Sequence, residues 1–187
     1  MTAGTLILIG GLDVTANAGI VSIPMALIGL GMGALASQLG AVTVSSVDDG
    51  VSVEVGGLQN TATNFGASLG TALAGTVLIA SLSASFQSGI QHNAAIPADV
   101  KTQATVELAS GVPFVSDSHL RTALQQSTLT PAAQDAVLQS NQEARIVGLR
   151  SALAVVALLA VLALFFTGLL PKRSLAAATA AAATDLE

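Results

Sequence analysis

Residues 54–82, EVGGLQNTATNFGASLGTALAGTVLIASL, decide how the rest of the chain is read. The stretch opens on a carboxylate and two glycines, then runs as one apolar segment studded with small residues. Ala62, Gly66, Gly70 and Ala74 recur at every fourth position, so they line one stripe of an α-helix. Such a stripe lets a second helix come close, as helices do inside a bilayer. Gln59, Asn60, Thr63 and Asn64 give the first two turns a polar face.

Composition points the same way. The 187 residues are 52% hydrophobic and only 9% charged, with a mean hydropathy of +0.74. Soluble domains carry about 25% charged residues, and so few charges cannot cover a water-facing surface. With five Phe and neither Trp nor Tyr, the interfacial aromatic belt of many membrane proteins is missing. Cysteine is absent, which excludes disulfides and thiol ligands. Net charge is −5, and the six Lys and Arg are scattered, so no basic patch exists for nucleic acid.

Outward from residues 54–82, the N-terminal side holds two further apolar segments. Residues 1–12 contain no Lys or Arg and so cannot be a secretory signal. They read as the last part of a transmembrane helix whose beginning lies upstream. After a polar turn, VTANAG, the stretch 20–42 is long enough to cross a bilayer, since 23 residues at 1.5 Å each reach about 35 Å. Pro24 falls in its first turns, where a missing N–H is tolerated. Gly29 and Gly33 form a small-xxx-small packing pair, and Ala36 and Gly40 another. The turn 43–56 that follows is charged and contains glycine.

Beyond the transmembrane helix 57–82, residues 83–145 differ in kind. They hold both His, three of the six basic residues and three of the five Pro. Three short amphipathic helices are expected there: one from about Ala98 to Ser110, one capped by Ser116, and one starting at Thr130-Pro131. Residues 146–170 are a last transmembrane helix, rich in Leu, Val and Ala. Lacking a glycine stripe, it suits a peripheral, lipid-facing position, with Arg150 snorkelling to the interface. Residues 171–187 are an Ala-rich low-complexity tail. Lys172 and Arg173 at one end of this helix balance Arg145 and Arg150 at the other, so charge does not set orientation. The fold class is therefore all-α: polytopic transmembrane helices with a mostly helical polar insert.

Candidate sites are few. Gly29-Leu30-Gly31-Met32-Gly33 has the spacing GxGxG, not GxGxxG, and sits inside a membrane-length run, so it reads as helix packing. Asp48, Asp49 and Glu54 lack the ligand spacing of a metal loop and read as solvated turn carboxylates, with Glu54 favourable near a helix start. His92 and His119 are 27 residues apart, without metal-ligand spacing. Ser116-Asp117-Ser118-His119 holds the residue types of a hydrolytic triad, but sequence neighbours do not converge as a triad must, and a helix N-terminus is the plainer reading. No catalytic, metal or cofactor site emerges, and an enzyme is not expected. Gln59, Asn60 and Asn64 remain. Asn60 and Asn64 share a helix face, and amides at membrane depth either bond to a neighbouring helix or line a water-filled cavity.

Residues 22–82 carry one further pattern. Pro24 to Gly33 fits PMxLxGxGxG, and Gly57-Leu58-Gln59-Asn60-Thr61 followed by Phe65-Gly66-Ala67-Ser68-Leu69-Gly70-Thr71-Ala72-Leu73-Ala74-Gly75 resembles GLxNT then LGxxLGxAxxG, with Phe65 in place of the first Leu. Together they resemble the C-terminal part of major facilitator superfamily transporters, closest to the fourteen-helix drug:proton antiporter branch. The resemblance implies a multi-pass protein of the cell membrane, with the turn 43–56 and the tail cytoplasmic and the insert 83–145 extracytoplasmic. It implies that the helix 57–82 lies by the contact between transporter halves, with the last helix against lipid. It implies as partners membrane lipid, N-terminal transporter helices missing from this chain, a small amphiphilic substrate and protons. Three and a fraction helices stand where such a transporter has about fourteen, so the chain resembles a fragment that would not transport alone. A different class stays open: a small membrane protein, complete at this length, acting in helix–helix assembly.

Overall fold

The computed structural model describes residues 1–13, 17–109 and 116–169. The Ala-rich tail and its Lys172 and Arg173 lie outside these residues, as do Val14 to Ala16 of the polar turn. Among the described residues the fold is all-α, without a strand. Six helices follow in order: α1 (Thr2–Gly11), α2 (Ala18–Val44), α3 (Ser52–His92), α4 (Ala98–Ala109), α5 (Asp117–Gln125) and α6 (Pro131–Phe166). Helices α2, α3 and α6 are long and apolar enough to cross a membrane.

Local chemistry explains the helix starts. The Asn17 side chain accepts hydrogen bonds from the N–H groups of Gly19 and Ile20, and so opens α2. Ser116 accepts from His119 N–H to open α5, and Thr130 accepts from Ala133 N–H, with Pro131 as the first helical residue, to open α6. Glu54 sits in the first turn of α3, at the positive end of its dipole.

Three expectations need correction. The connection between α2 and α3 is shorter than 43–56: α2 runs to Val44, and a 3-10 turn at Asp49–Val51 leads directly into α3 at Ser52. The helix holding residues 57–82 does not stop at Leu82 but continues to His92, 41 residues or about 60 Å. The third short helix of the insert is not separate. From Pro131 the backbone runs unbroken through 146 to Phe166, because residues 138–145, LQSNQEAR, favour helix despite their polarity. Pro24 is the seventh residue of α2, deeper than the first turn, so its missing N–H leaves a gap in the helix ladder.

The central contact is the antiparallel pair α3–α6. A Cβ added at Gly148 would lie 3.0 Å from the Leu78 carbonyl oxygen and 3.1 Å from Leu82 Cβ, so a side chain there would require the helices to give by a few tenths of an ångström. Nearer the other end, a Cβ at Gly89 would lie 3.0 Å from Ser140 Oγ. The buried face of α6 includes Ser140, Ala144, Gly148 and Ala152, every fourth residue. This corrects the picture of the last helix as merely peripheral. It does carry a small-residue stripe, on which α3 packs, while Leu158, Leu162 and Phe165 on other faces are exposed. At the N-terminus α1 folds back along α2, and a Cβ at Gly4 would meet the Pro24 carbonyl oxygen at 2.8 Å. Arg150 does not snorkel freely: its guanidinium donates to the carbonyl of Leu12, at the C-terminal end of α1, where a cation is favourable. That bond ties the α1–α2 hairpin to α6.

The ends of α3 and α6, with α4 and α5, form a cap with its own core. Ile90, Ile96, Leu124, Ala136 and Val137 are buried together, with Phe86, Val100 and Leu120 packed around them. Polar pairs seal its edges. Asp117 pairs with Arg145 at 3.1 Å and accepts from Asn141 Nδ2 at 2.8 Å. Gln91 Nε2 donates to Thr105 Oγ1 and to the Lys101 carbonyl, while Lys101 Nζ donates back to the Gln91 carbonyl.

Candidate functional site

Past Gly148, an apolar groove of about 900 Å³, comparable to a drug-sized ligand pocket, is lined by α3 and α6. Gly66, Gly70 and Ala74 line one wall, Ala152, Leu159 and Ala163 the other, and Leu35 of α2 closes one side. Three of the four residues of the α3 stripe thus face the same opening.

Among the described residues nothing packs on the two glycines of the stripe. A Cβ added at Gly66 or Gly70 meets no atom within 4 Å, and the same holds at Gly29 and Gly33 of α2. Ala62 is exposed, while Ala74 is half-buried against the groove. Close approach between elements is made at other glycines, Gly4, Gly11, Gly31, Gly89 and Gly148. Their signal in the sequence was available at Gly148, as the four-residue recurrence from Ser140 to Ala152, but placing a boundary at residue 146 divides it.

The amides sit one to two turns before this groove on α3. Asn60 and Asn64 are exposed and Gln59 is half-buried. Asn64 Nδ2 donates to the Asn60 backbone carbonyl at 3.0 Å and lies 3.3 Å from Asn60 Oδ1, so the pair is satisfied within its own helix. The hydroxyls around them behave alike: Thr61, Thr63, Ser68, Thr71 and Thr76 each donate to the carbonyl four residues back. Self-satisfied polar groups can face lipid or a partner without leaving an unpaired donor. The amides do not line the apolar groove; they extend its wall toward the α2–α3 turn as a polar face.

The remaining candidates fall out as structural parts. Ser116 and Asp117 cap and anchor α5, and Ser116 Oγ contacts Ser118 Oγ and His119 N–H, not the imidazole. Among the described residues no group of three or more His, Cys, Asp or Glu could hold a metal ion. The faces of the long helices are open, with Leu30 72% exposed and Phe65 70%, on helices long and apolar enough to cross a membrane. No family model, no curated protein and no solved structure matches the chain.

Proposed function

We propose that this chain is the C-terminal part of a proton-coupled efflux transporter for drug-like compounds, of major facilitator type and multi-pass in the cell membrane. Two sequence motifs support the reading, Pro24 to Gly33 in α2 and Gly57 to Gly75 in α3. One physical observation carries it further: the second motif places Gly66 and Gly70 on the wall of a groove that none of the described residues fills. A glycine stripe gives up side-chain contacts unless another surface lies on it. In the proposed transporter that surface is the N-terminal helices, the missing partner against which α3 moves in alternating access. Gln59, Asn60 and Asn64, exposed on the same helix, line the substrate path between the halves. Protons and a small amphiphilic compound are the exchanged species, and neither moves without the other half.

Replacing Asn64 with Leu in the full-length parent tests the amide role directly. Efflux should fall at unchanged expression, and unchanged efflux removes the amides from the path. The wider reading is tested upstream of Met1, where further apolar helices in frame are expected. A stop codon and ribosome-binding site directly before Met1 count against it. Cysteines introduced in 83–145 should react from outside intact cells while those in 43–56 stay protected, and the reverse pattern overturns the orientation. The open groove also favours one other reading, a small membrane protein that assembles with its own copies. Cross-linking through Gly66→Cys in the intact membrane separates the two, since only self-assembly gives a covalent dimer of this chain.

A further inference from the structure

A second groove, of about 600 Å³, lies at the opposite end of the α3–α6 contact, from the last turn of the apolar stretch 57–82 up to the cap. Its polar lining is Ser81, Ser85, Ser88 and His92 from α3 with Glu143 and Ser151 from α6. On α3 the spacing of four, three and four residues keeps all these side chains on one face. None of them belongs to the cap core or to the apolar groove.

The hydrogen bonds inside this groove leave it rich in acceptors. His92 Nδ1 lies 2.9 Å from the Ser88 backbone carbonyl oxygen. A carbonyl can only accept, so Nδ1 carries the proton and, in the neutral ring, Nε2 keeps its lone pair. Glu143 accepts one bond on Oε1, from Gln139 Nε2 at 2.9 Å, and its other oxygen is left to the groove. The Ser151 hydroxyl donates to the Val147 carbonyl, which leaves its lone pairs outward. Among the described residues no Lys or Arg lines the groove. An imidazole lone pair, a carboxylate and hydroxyl oxygens therefore share the lining of one open groove, beside Ala84 and Val147.

We propose that this groove binds a primary ammonium group, with Glu143 and His92 Nε2 as acceptors and the carbon chain of the ligand descending along Val147. The ammonium brings three donors and one positive charge to a site with matching acceptors and one negative charge. Two sources offer that chemistry at a membrane edge, a phosphatidylethanolamine headgroup and a free amphiphilic amine. The inference rests on α3 and α6 crossing the membrane and is independent of the transport reading.

The test uses the full chain in phosphatidylcholine nanodiscs, with dodecylammonium as the soluble probe in titration calorimetry. Glu143→Gln should weaken dodecylammonium binding about tenfold, the loss of one charge-assisted contact, and His92→Ala should also weaken it. Asp135→Asn, which removes a charge from α6 outside this groove, should leave it unchanged. Native mass spectrometry from nanodiscs of mixed phosphatidylethanolamine and phosphatidylcholine then assigns the source. Retention of the ethanolamine lipid, lost in Glu143→Gln, identifies the headgroup. Equal retention of both lipids with dodecylammonium binding intact identifies the free amine. Wild-type protein that binds neither, or binding equal in wild type and Glu143→Gln, overturns the proposal. Circular dichroism of each variant shows that its helices are kept.

Discussion

The two ends of the α3–α6 pair are built from the same kind of helix and packed by different rules. At the cap end, Ile90 is 1% exposed and Ile96 3%, and α4 and α5 close over them. At the other end an apolar groove runs between the helices, and Phe65 stands 70% exposed. Water explains the first end. Each apolar side chain withdrawn from it gains roughly 25 cal/mol per Å², so the cap gathers its aliphatic residues into one cluster. A membrane, which α2, α3 and α6 are long and apolar enough to cross, would explain the second. Acyl chains are as apolar as leucine, so covering Phe65 or Leu30 brings no comparable gain and these faces close only on a surface that fits them. An open groove along a membrane helix is therefore compatible with a stable fold, whereas an open cap core would not be.

The largest expected effect lies at the cap. Ile90→Ala removes a buried side chain from a core of few residues and should cost about 2–5 kcal/mol of cap stability. Hydrogen exchange should show α4 and α5 losing protection while residues 66–75 of α3 keep theirs. Equal loss at both ends would break the contrast, since it would mean that α3 unfolds as one unit.

Glycines sharpen it next. Gly148→Ala forces a methyl to within 3.0 Å of the Leu78 carbonyl oxygen, a backbone atom that cannot swing away. The expected overpacking cost is about 1–3 kcal/mol, reduced by alanine's advantage of up to about 1 kcal/mol in a helix. Gly66→Ala meets open space and should leave the isolated chain unchanged or stabilise it by up to about 1 kcal/mol. Denaturant unfolding in one detergent would compare the two variants, and opposite signs are expected. A destabilising Gly66→Ala would mean that the stripe is already covered, by a second copy of the chain.

Much of this arrangement was legible because it is local. Ser116 and Thr130 announce helix starts through bonds that reach only three residues, and apolar run lengths identify α2 and the apolar halves of α3 and α6. The Gly66–Gly70 stripe was also legible, but not that no described residue packs on it, because a packing motif says what could approach and not what does. Two features needed contacts distant in sequence. Arg150 reaches Leu12, 138 residues away, and Asp117 meets Asn141 and Arg145 from the next helix. Polar composition hid the continuity of α6, since 131–145 looks like insert by hydropathy although its residues are good helix formers.

The smallest expected effect concerns how the cap is fastened. Asp117 and Arg145 are each about one-third exposed (34% and 34%), so water screens their attraction and the pair should contribute about 1 kcal/mol or less. Asp117→Asn keeps a carbonyl oxygen for the Asn141 amide but removes the charge facing Arg145. The variant should therefore lose well under the Ile90→Ala amount, and raising salt should bring wild type and variant together, because screening acts on the ion pair alone. A difference that persists in high salt would assign the fastening to the hydrogen bonds that Asp117 accepts from Asn141 and Gln142, since the variant's amide can accept at only one of the two oxygen positions. Either outcome keeps α5 on α6 through side chains that face water, as the cap end requires and the membrane end does not.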